Sequence, residues 1–460
     1  MSSQVVAHIV VIVFENRSFD HMLGFLPGDQ LSKEMIPIDP NDPSQGFVSP
    51  FILDSHDDVS VDPGHSYPDV MEQLTGSTGP WPPGTALTNQ GFVCNYAGRA
   101  GQGASKEIVG CYDGTHVPAL WTLAREYAVC TGWFCSVPSQ TWPNRLFIHA
   151  ATSDGTLRND IRLYWNETIF EQLDAIHHDW RVYAGDIPQV AAFPRLLWHP
   201  VKDRFDRLDA FFEDARRNRL PAYSFIEPRH FLRTANSQHP LQQIRLGEQL
   251  LQQVYEALAA NPKVWRSSLL IITHDEHGGF YDRQPPPSAV PPSPDSHNSE
   301  YDFGFDLLGP RVPAVVVSPY IPAGTVRNEI YDHTSIIATV REAFGLAGPL
   351  TDRDAAARSV LPLLTLSEPR EPVVIPAVPA EEVEEAIVAT DENRWAQGRT
   401  GGGEIKLNEL QESLVRLKQL LDREQTGADA STILPEPRLA TDEDVENLVA
   451  DFQRRHIAPS

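Results

Sequence analysis

Short, continuous apolar runs alternate along this chain with stretches in which apolar residues recur every three or four positions. The runs lie at residues 9–13, 181–183, 223–226, 269–273 and 314–317. They are rich in β-branched residues and lack the polar alternation of a half-exposed strand, so they predict strands buried on both faces. Helical periodicity lies between them. One helix is expected over 117–127, begun at Thr115 with Pro118 in its first turn. A second runs over about 241–260, with Ile244, Leu251, Val254 and Leu258 on one face and Asn261-Pro262 as its stop. A third spans 334–344 and ends at Gly345. This alternation predicts an α/β fold, a mainly parallel sheet sandwiched by helices.

Two regions fall outside that rhythm. Residues 27–110 are rich in Gly, Pro, Asp and Ser and predict a long loop-rich excursion above the sheet. Its aromatic residues Trp81, Phe92 and Tyr96 either line a ligand site or serve as packing. From about Pro369 the composition shifts to Pro, Glu and Ala, with residues 400–403 as a flexible joint. Beyond it Leu407, Leu410, Leu414, Leu417 and Leu421 recur at helical spacing. They predict an amphipathic helix packed on the main domain or on a partner, and Thr441 then N-caps a last short helix. The main domain is placed at 1–365. Residues 366–460 are read as a linker and helical appendage outside the catalytic part.

The charge balance removes one class of function. Lys and Arg total 37 against 62 Asp and Glu, a formal net charge of -25. Nucleic acid is held by clustered Lys and Arg, so a nucleic-acid partner is not expected. No run approaches the roughly 18 apolar residues that span a bilayer. No export signal is visible, so a cytoplasmic location is expected, with secretion by a non-classical route left open. Cys94, Cys111, Cys130 and Cys135 have neither zinc-ribbon nor redox-pair spacing. They read as isolated thiols, with a Cys94–Cys111 bridge the one pairing left open.

Candidate chemistry gathers at strand ends, where open parallel sheets bind ligands. The first strand finishes in Phe14-Glu15-Asn16, and the run at 269–273 finishes in His274-Asp275-Glu276-His277-Gly278-Gly279. Carboxylates at neighbouring strand ends repel one another, which makes a cation the economical explanation. A third segment, Val137 to Arg145, contains Thr141-Trp142-Pro143. Pro143 disfavours helix at Trp142. Thr141 is then either a hydroxyl activated by a metal or the cap of a helix starting at Pro143.

Taken together, the segments His8 to His21, Thr141 to Arg145 and Asp275 to Asp282 resemble the bacterial phosphoesterase family of non-haemolytic phospholipases C and related acid phosphatases. Gly309 to Ala314, Ser318 to Ile321 and Asp332-His333-Thr334-Ser335 extend the likeness over roughly residues 5–346. The resemblance implies an alkaline-phosphatase-like α/β sandwich. It also implies that Glu15, Asn16, Asp275 and Glu276 are metal ligands, and that Thr141 touches the metal and is phosphorylated during turnover. Histidines would hold phosphoryl oxygens or protonate the leaving group; His65, His239 and His333 are the candidates, with His230 a fourth. Asn144 and Arg145 read as braces of the nucleophile turn, and Asp20 and His21 as structural. An oxygen-rich shell favours Ca²⁺, Mn²⁺ or Mg²⁺ and leaves Zn²⁺ open. The expected partner is a phosphate ester, with phospholipids among the candidates. The leading function is phospholipase C-like phosphodiester hydrolysis. Its rivals are an acid-phosphatase-like phosphomonoesterase and an inactive relative that works through its Leu-rich tail.

Overall fold

The computed structural model describes residues 5–27, 31–82, 84–198, 204–396, 407–427, 439 and 441–457. The apolar run near the N-terminus forms β1 (His8–Phe14), in which every side chain from Ile9 onward is buried. Seven further strands complete its sheet: β2 (Ala128–Cys130), β3 (Trp180–Ala184), β4 (Phe205–Arg207), β5 (Tyr223–Glu227), β6 (Ser268–His274), β7 (Ala314–Val317) and β8 (Thr325–Arg327). All five expected strands are present. The three extra ones are only three residues long, too short to leave a periodic signal. The spatial order is β8-β2-β7-β6-β1-β5-β3-β4. All pairings are parallel except those of β7, which runs against both neighbours. The fold is therefore α/β with a mainly parallel sheet between helices, as expected.

Register decides where the chemistry falls. Phe14 of β1 pairs with His274 of β6, and Ile12 pairs with Ile226 of β5. The chain thus leaves three adjacent central strands at Glu15, Glu227 and Asp275. A parallel sheet delivers such residues to one edge because all its strands point the same way.

Helices cover the sheet and carry the remaining groups. Within the excursion, α1 (Tyr67–Thr75) and α2 (Phe92–Ala100) pack on each other, and Gln73 of α1 is bound to His277 just beyond β6 (2.8 Å). Ser66 and Asp69 form a capping box that starts α1 one residue after His65. Phe92 and Tyr96 are buried in a cluster with Phe280, so these two aromatics are packing and not a ligand lining. The next helix, α3 (Pro118–Glu126), opens with Val117 as its N-cap. Thr115 is not the cap; its hydroxyl and amide turn back to Asp113. The cap comes instead from α5 (Ile244–Ala259), whose Glu248 accepts from the amides of Ala119 (2.7 Å) and Leu120 (3.3 Å). Between them lies α4 (Thr141–Ala150), and α6 (Thr334–Phe344) packs nearby, ending at a left-handed Gly345.

At the C-terminus, α7 (Ala380–Ala396), α8 (Glu409–Thr426) and α9 (Asp442–His456) follow. Leu410, Leu414, Leu417 and Leu421 of α8 are buried in the main core, so this helix packs on the main domain. Thr441 caps α9 in a capping box with Asp444, as expected. The proposed joint at 400–403 lies outside the described residues. All four cysteines are free, and the Cys94–Cys111 bridge does not form. No helix among the described residues is long and apolar enough to cross a membrane.

Candidate active site

Three carboxylates meet at the carboxyl edge of the sheet, and a guanidinium holds them apart. Arg145, buried in α4, donates Nε to Asp275 Oδ2 (2.9 Å) and Nη1 to Glu227 Oε2 (3.3 Å). Its Nη2 stands 3.6 Å from Glu15 Oε1 and donates to the carbonyls of Val13 (3.2 Å) and Phe14 (3.4 Å). Part of the repulsion that argued for a cation is thus relieved by the protein itself. The turn that delivers Arg145 is braced by its neighbour. Asn144 Oδ1 accepts from Val137 N (3.0 Å), and Nδ2 donates to the carbonyls of Ser139 (2.9 Å) and Gln140 (3.0 Å).

Thr141 is the first residue of α4, and Trp142 is helical in spite of Pro143. A proline in the first turn removes an amide that has no intrahelical partner there anyway. Thr141 does not cap the helix. Gln140 holds the cap position without a side-chain bond, and the buried Thr141 hydroxyl donates to Asn16 Oδ1 (3.1 Å). Asn16 itself adopts a left-handed backbone, φ 58°, and its amide is bound by Asp275 Oδ1 (3.0 Å). Gly278 permits that arrangement, because a Cβ there would meet the Asn16 carbonyl oxygen at 2.1 Å. The hydroxyl, the Asn16 amide and the Asp275 carboxylate are consequently one connected unit at the positive end of a helix, a place that favours an anion.

His65 closes the unit from the excursion side. Its Nδ1 donates to Glu276 Oε1 (2.6 Å) and lies 3.3 Å from Asn16 Nδ2. Glu276 also accepts from Gly278 N (2.7 Å). Its second carboxylate oxygen is 3.3 Å from His277 Nδ1. The ionisation pattern follows from these neighbours. Burial alone would discharge His65, but the Glu276 carboxylate outweighs it and holds the imidazole well above its ordinary range. Glu276, raised by burial and lowered more strongly by His65 and His277, comes down to about 2. Burial pushes Asp275 up to about 7, with Arg145 opposing and Glu15 and Glu276 reinforcing. Asp275 is the carboxylate of this edge that changes charge near neutrality.

The other candidate histidines separate by their hydrogen bonds. His333 accepts from Trp133 Nε1 (3.4 Å) and donates Nε2 to the Asp275 carbonyl (2.5 Å). Both ring nitrogens are engaged and burial lowers it to about 4, so it is a neutral ring bound to the Asp275 backbone. His239 donates Nδ1 to the Pro240 carbonyl (2.9 Å), leaving Nε2 for another partner. His230 stands 3.4 Å from Glu15 Oε2. Burial would lower it, yet Glu15 draws it up to about 10. Glu15 is raised by burial and lowered more strongly by His230 and Arg145, to about 2. Asp20 and His21 stand behind the site: Asp20 with Asp282 and Arg311, and His21 stacked on Phe280 at 3.9 Å.

Two buried atoms here, Gln189 Oε1 and His230 Nε2, have no hydrogen-bond partner, and Glu15 Oε2 has only its ion pair with His230 Nδ1 at 3.4 Å. Unpaired buried polar atoms are costly, and their concentration around Glu15 marks it as a point where a ligand completes the shell. Among the described residues no three His, Cys, Asp or Glu side chains already form a metal cage. The reason is visible, since Arg145 and His65 stand between the carboxylates. The donor set of Glu15, Asn16, Thr141, Asp275 and Glu276 is all oxygen and fits a hard divalent cation. Three participants escaped sequence reasoning. Glu227 ends a recognised strand and was legible as a third strand-end carboxylate. Gln189, which donates to Glu15 Oε1 (3.2 Å), and Glu409 of α8, which stands 3.7 Å from His65 Nε2, carry no local motif.

The chain matches the family described as Phosphoesterase family over residues 6–347. It is 34% identical over 412 residues to non-specific phospholipase C3 of Arabidopsis thaliana, across 82% of this chain and 77% of that protein. Non-specific phospholipase C5 of the same plant is 38% identical over 398 residues, across 79% and 75%. Non-hemolytic phospholipase C of Pseudomonas aeruginosa is 26% identical over 397 residues, across 75% and 54%. A solved phosphonate monoester hydrolase of Agrobacterium radiobacter overlays with a TM-score of 0.35 at 12% identity, covering 79% of this chain and 78% of that one. That likeness is too loose to bear on chemistry.

Proposed function

This chain belongs to the phosphoesterase family, a hydrolase of phosphoester bonds, and we propose that it is a metal-dependent phosphodiesterase of the phospholipase C type acting through a phospho-threonine at Thr141. One observation carries the reading. The Thr141 hydroxyl is buried at a helix N-terminus, serves no capping role, and donates to Asn16 Oδ1 at 3.1 Å. A hydroxyl so placed, sharing the Asn16 carboxamide with the His65 imidazole, supports the reading of a nucleophile with its acid.

Glu15, Asn16, Asp275 and Glu276 would hold the divalent cation, which supplies the positive field that makes a threonine hydroxyl an effective nucleophile at neutral pH. The protein's own groups do the rest. Thr141 gives up its proton to water as its Oγ attacks phosphorus in line, the P–O bond to the leaving alcohol breaks, and the leaving oxygen takes a proton. His65, kept charged by Glu276, is the donor for that oxygen or for a phosphoryl oxygen. Arg145 keeps Asp275 and Glu15 in place and His333 fixes the Asp275 backbone. Water then attacks the phospho-threonine and returns the hydroxyl. The phospholipase C names of the relatives support a diester, and a lipid one, over a monoester.

The test is turnover of phosphatidylcholine and p-nitrophenyl phosphate side by side, with chelator and then with Ca²⁺, Mn²⁺ or Mg²⁺ restored. The expectation is preference for the diester, loss in chelator and recovery on add-back. Thr141→Ala should abolish turnover by at least ~10³-fold while melting like the native protein. Robust turnover by that variant sinks the mechanism, and equal or greater monoester turnover sinks the phospholipase assignment.

A further inference from the structure

The nucleophile turn is gripped from a direction that the sheet does not supply. Gln140, just before Thr141, donates Nε2 to Glu409 Oε1 (2.7 Å). Trp142, just after it, donates Nε1 to Ser413 Oγ (2.6 Å). Glu409 and Ser413 are four residues apart on α8 and so occupy one face of that helix. Between them on the chain, Gln411 donates to the His230 carbonyl (2.6 Å). Glu409 Oε2 meanwhile stands 3.7 Å from His65 Nε2. The segments bearing Thr141, His65 and His230 are all tied to the first turns of one C-terminal helix.

These ties are held firmly at both ends. On the helix side, Leu410, Leu414, Leu417 and Leu421 are buried in the main core. On the site side, the Gln140 amide is fixed twice, because its Oε1 also accepts from Asn159 N (3.0 Å). Trp142 is buried, so without Ser413 its indole N–H would be left unpaired. The need for such a grip is physical. Thr141 opens its helix with no capping bond of its own, and the first turn of a helix is the part least constrained by intrahelical hydrogen bonds. Helix α8 also walls a cavity of about 560 Å³ bordered by Tyr67, Gln140, Tyr301, Glu409 and Ser413, so the face that grips Gln140 is open to solvent on that side.

We propose that α8 is a positioning element of the active site, in which Glu409 and Ser413 hold the residues on either side of Thr141 and thereby aim its hydroxyl. The proposal rests on Thr141 being the nucleophile. It reverses the expectation that the C-terminal appendage stands apart from catalysis. Displacement of a nucleophile by about 1 Å costs on the order of a hundredfold in rate, so the loss of either grip should be read in kcat and not in substrate affinity.

The experiment uses the full chain with Glu409→Ala, Ser413→Ala, Glu409→Gln and, as a control on the exposed end of the same helix, Glu424→Ala. Each alanine variant of the grip should lower kcat by roughly tenfold or more while KM stays within about twofold. Glu409→Gln keeps an oxygen that accepts from Gln140 and should recover most of the rate; Glu424→Ala should change neither constant. Amide hydrogen exchange supplies a readout independent of turnover. Peptides covering residues 137–147 should exchange several-fold faster in the two alanine variants, with β1 unchanged. The proposal is overturned if both alanine variants turn over within about twofold of native, or if exchange rises everywhere together. It is equally overturned if Glu409→Gln is as slow as Glu409→Ala, since the charge beside His65 would then be what matters. If the native protein hydrolyses no phosphoester, the nucleophile assignment falls, and the exchange comparison still decides whether α8 holds the turn.

Discussion

Replacing Arg145 by methionine would strip Asp275 of its paired cation and leave Glu227 and Glu15 with His230 alone. In the native protein the guanidinium spans distances of 2.9, 3.3 and 3.6 Å to these three carboxylates. Methionine fills much of the same channel, so the cavity contribution is small. The cost is the uncompensated charge, for which breaking a buried pair gives about 3–5 kcal/mol. At roughly 2–4 °C per kcal/mol, that is a fall in Tm of roughly 6–20 °C. The pH dependence has a definite sign. Burial holds Asp275 at about 7, above its ordinary value of 3.8. The folded state therefore binds this proton more tightly, and the carboxyl's contribution to stability falls as pH rises from about 4 towards 7. Without Arg145 the folded value climbs further. The deficit of the variant should then be deepest near pH 8 and shrink near pH 5, where Asp275 keeps its proton. Scanning calorimetry of both proteins in chelator at those two pH values reads the difference, and adding Glu227→Gln should restore part of it. A deficit below about 1 kcal/mol near pH 8, or one that is equal at both pH values, would refute the reasoning.

Two other substitutions probe the scaffold. Gly278→Ala brings a Cβ to within 2.1 Å of the Asn16 carbonyl at a φ of +63°. A loss of about 1–3 kcal/mol or more, together with loss of turnover, is expected, and a variant that melts and turns over like the native protein contradicts it. Glu248 is pushed up by burial to about 8 from an ordinary value of 4.5, so its contribution to stability falls as pH rises across that window. Glutamine can accept from the same two amides without a charge, so Glu248→Gln should match native Tm near pH 5 and exceed it near pH 9. If native is the more stable at pH 9, attraction to the α3 N-terminus, worth at most ~2 kcal/mol, has outweighed burial after all.

Much of this architecture was legible because its signals are local. The runs at 9–13 and 269–273 are uninterrupted by charge, and both ended in the expected polar residues at one edge of the sheet. Thr141 was legible as a nucleophile or a cap, and the absence of a capping bond favours the first. The helix over Trp142 was misread because the restriction before a proline was weighed without the exemption of a first turn. What stayed hidden depends on distance along the chain. Nothing near Arg145 announces that it joins three strand ends, since Asp275 and Glu15 are each 130 residues away from it. The Thr115 cap failed for the same reason, as the actual cap is Glu248 on a helix formed much later in the sequence.

The strand that leads into Glu15 leaves the ribosome well before either of its neighbours in the sheet. Ile9 must wait for Tyr223 on one side and Leu269 on the other. At 5–20 residues per second, roughly two hundred residues of synthesis take about 10–40 s. For that interval a seven-residue, β-prone and uncharged-but-for-histidine segment has both edges unpaired, which is the composition that seeds aggregation. The central place that buries β1 on both faces also makes it the segment longest in need of shelter during biosynthesis. Slower translation between residues 14 and 223 lengthens that exposure without altering a single contact of the finished enzyme.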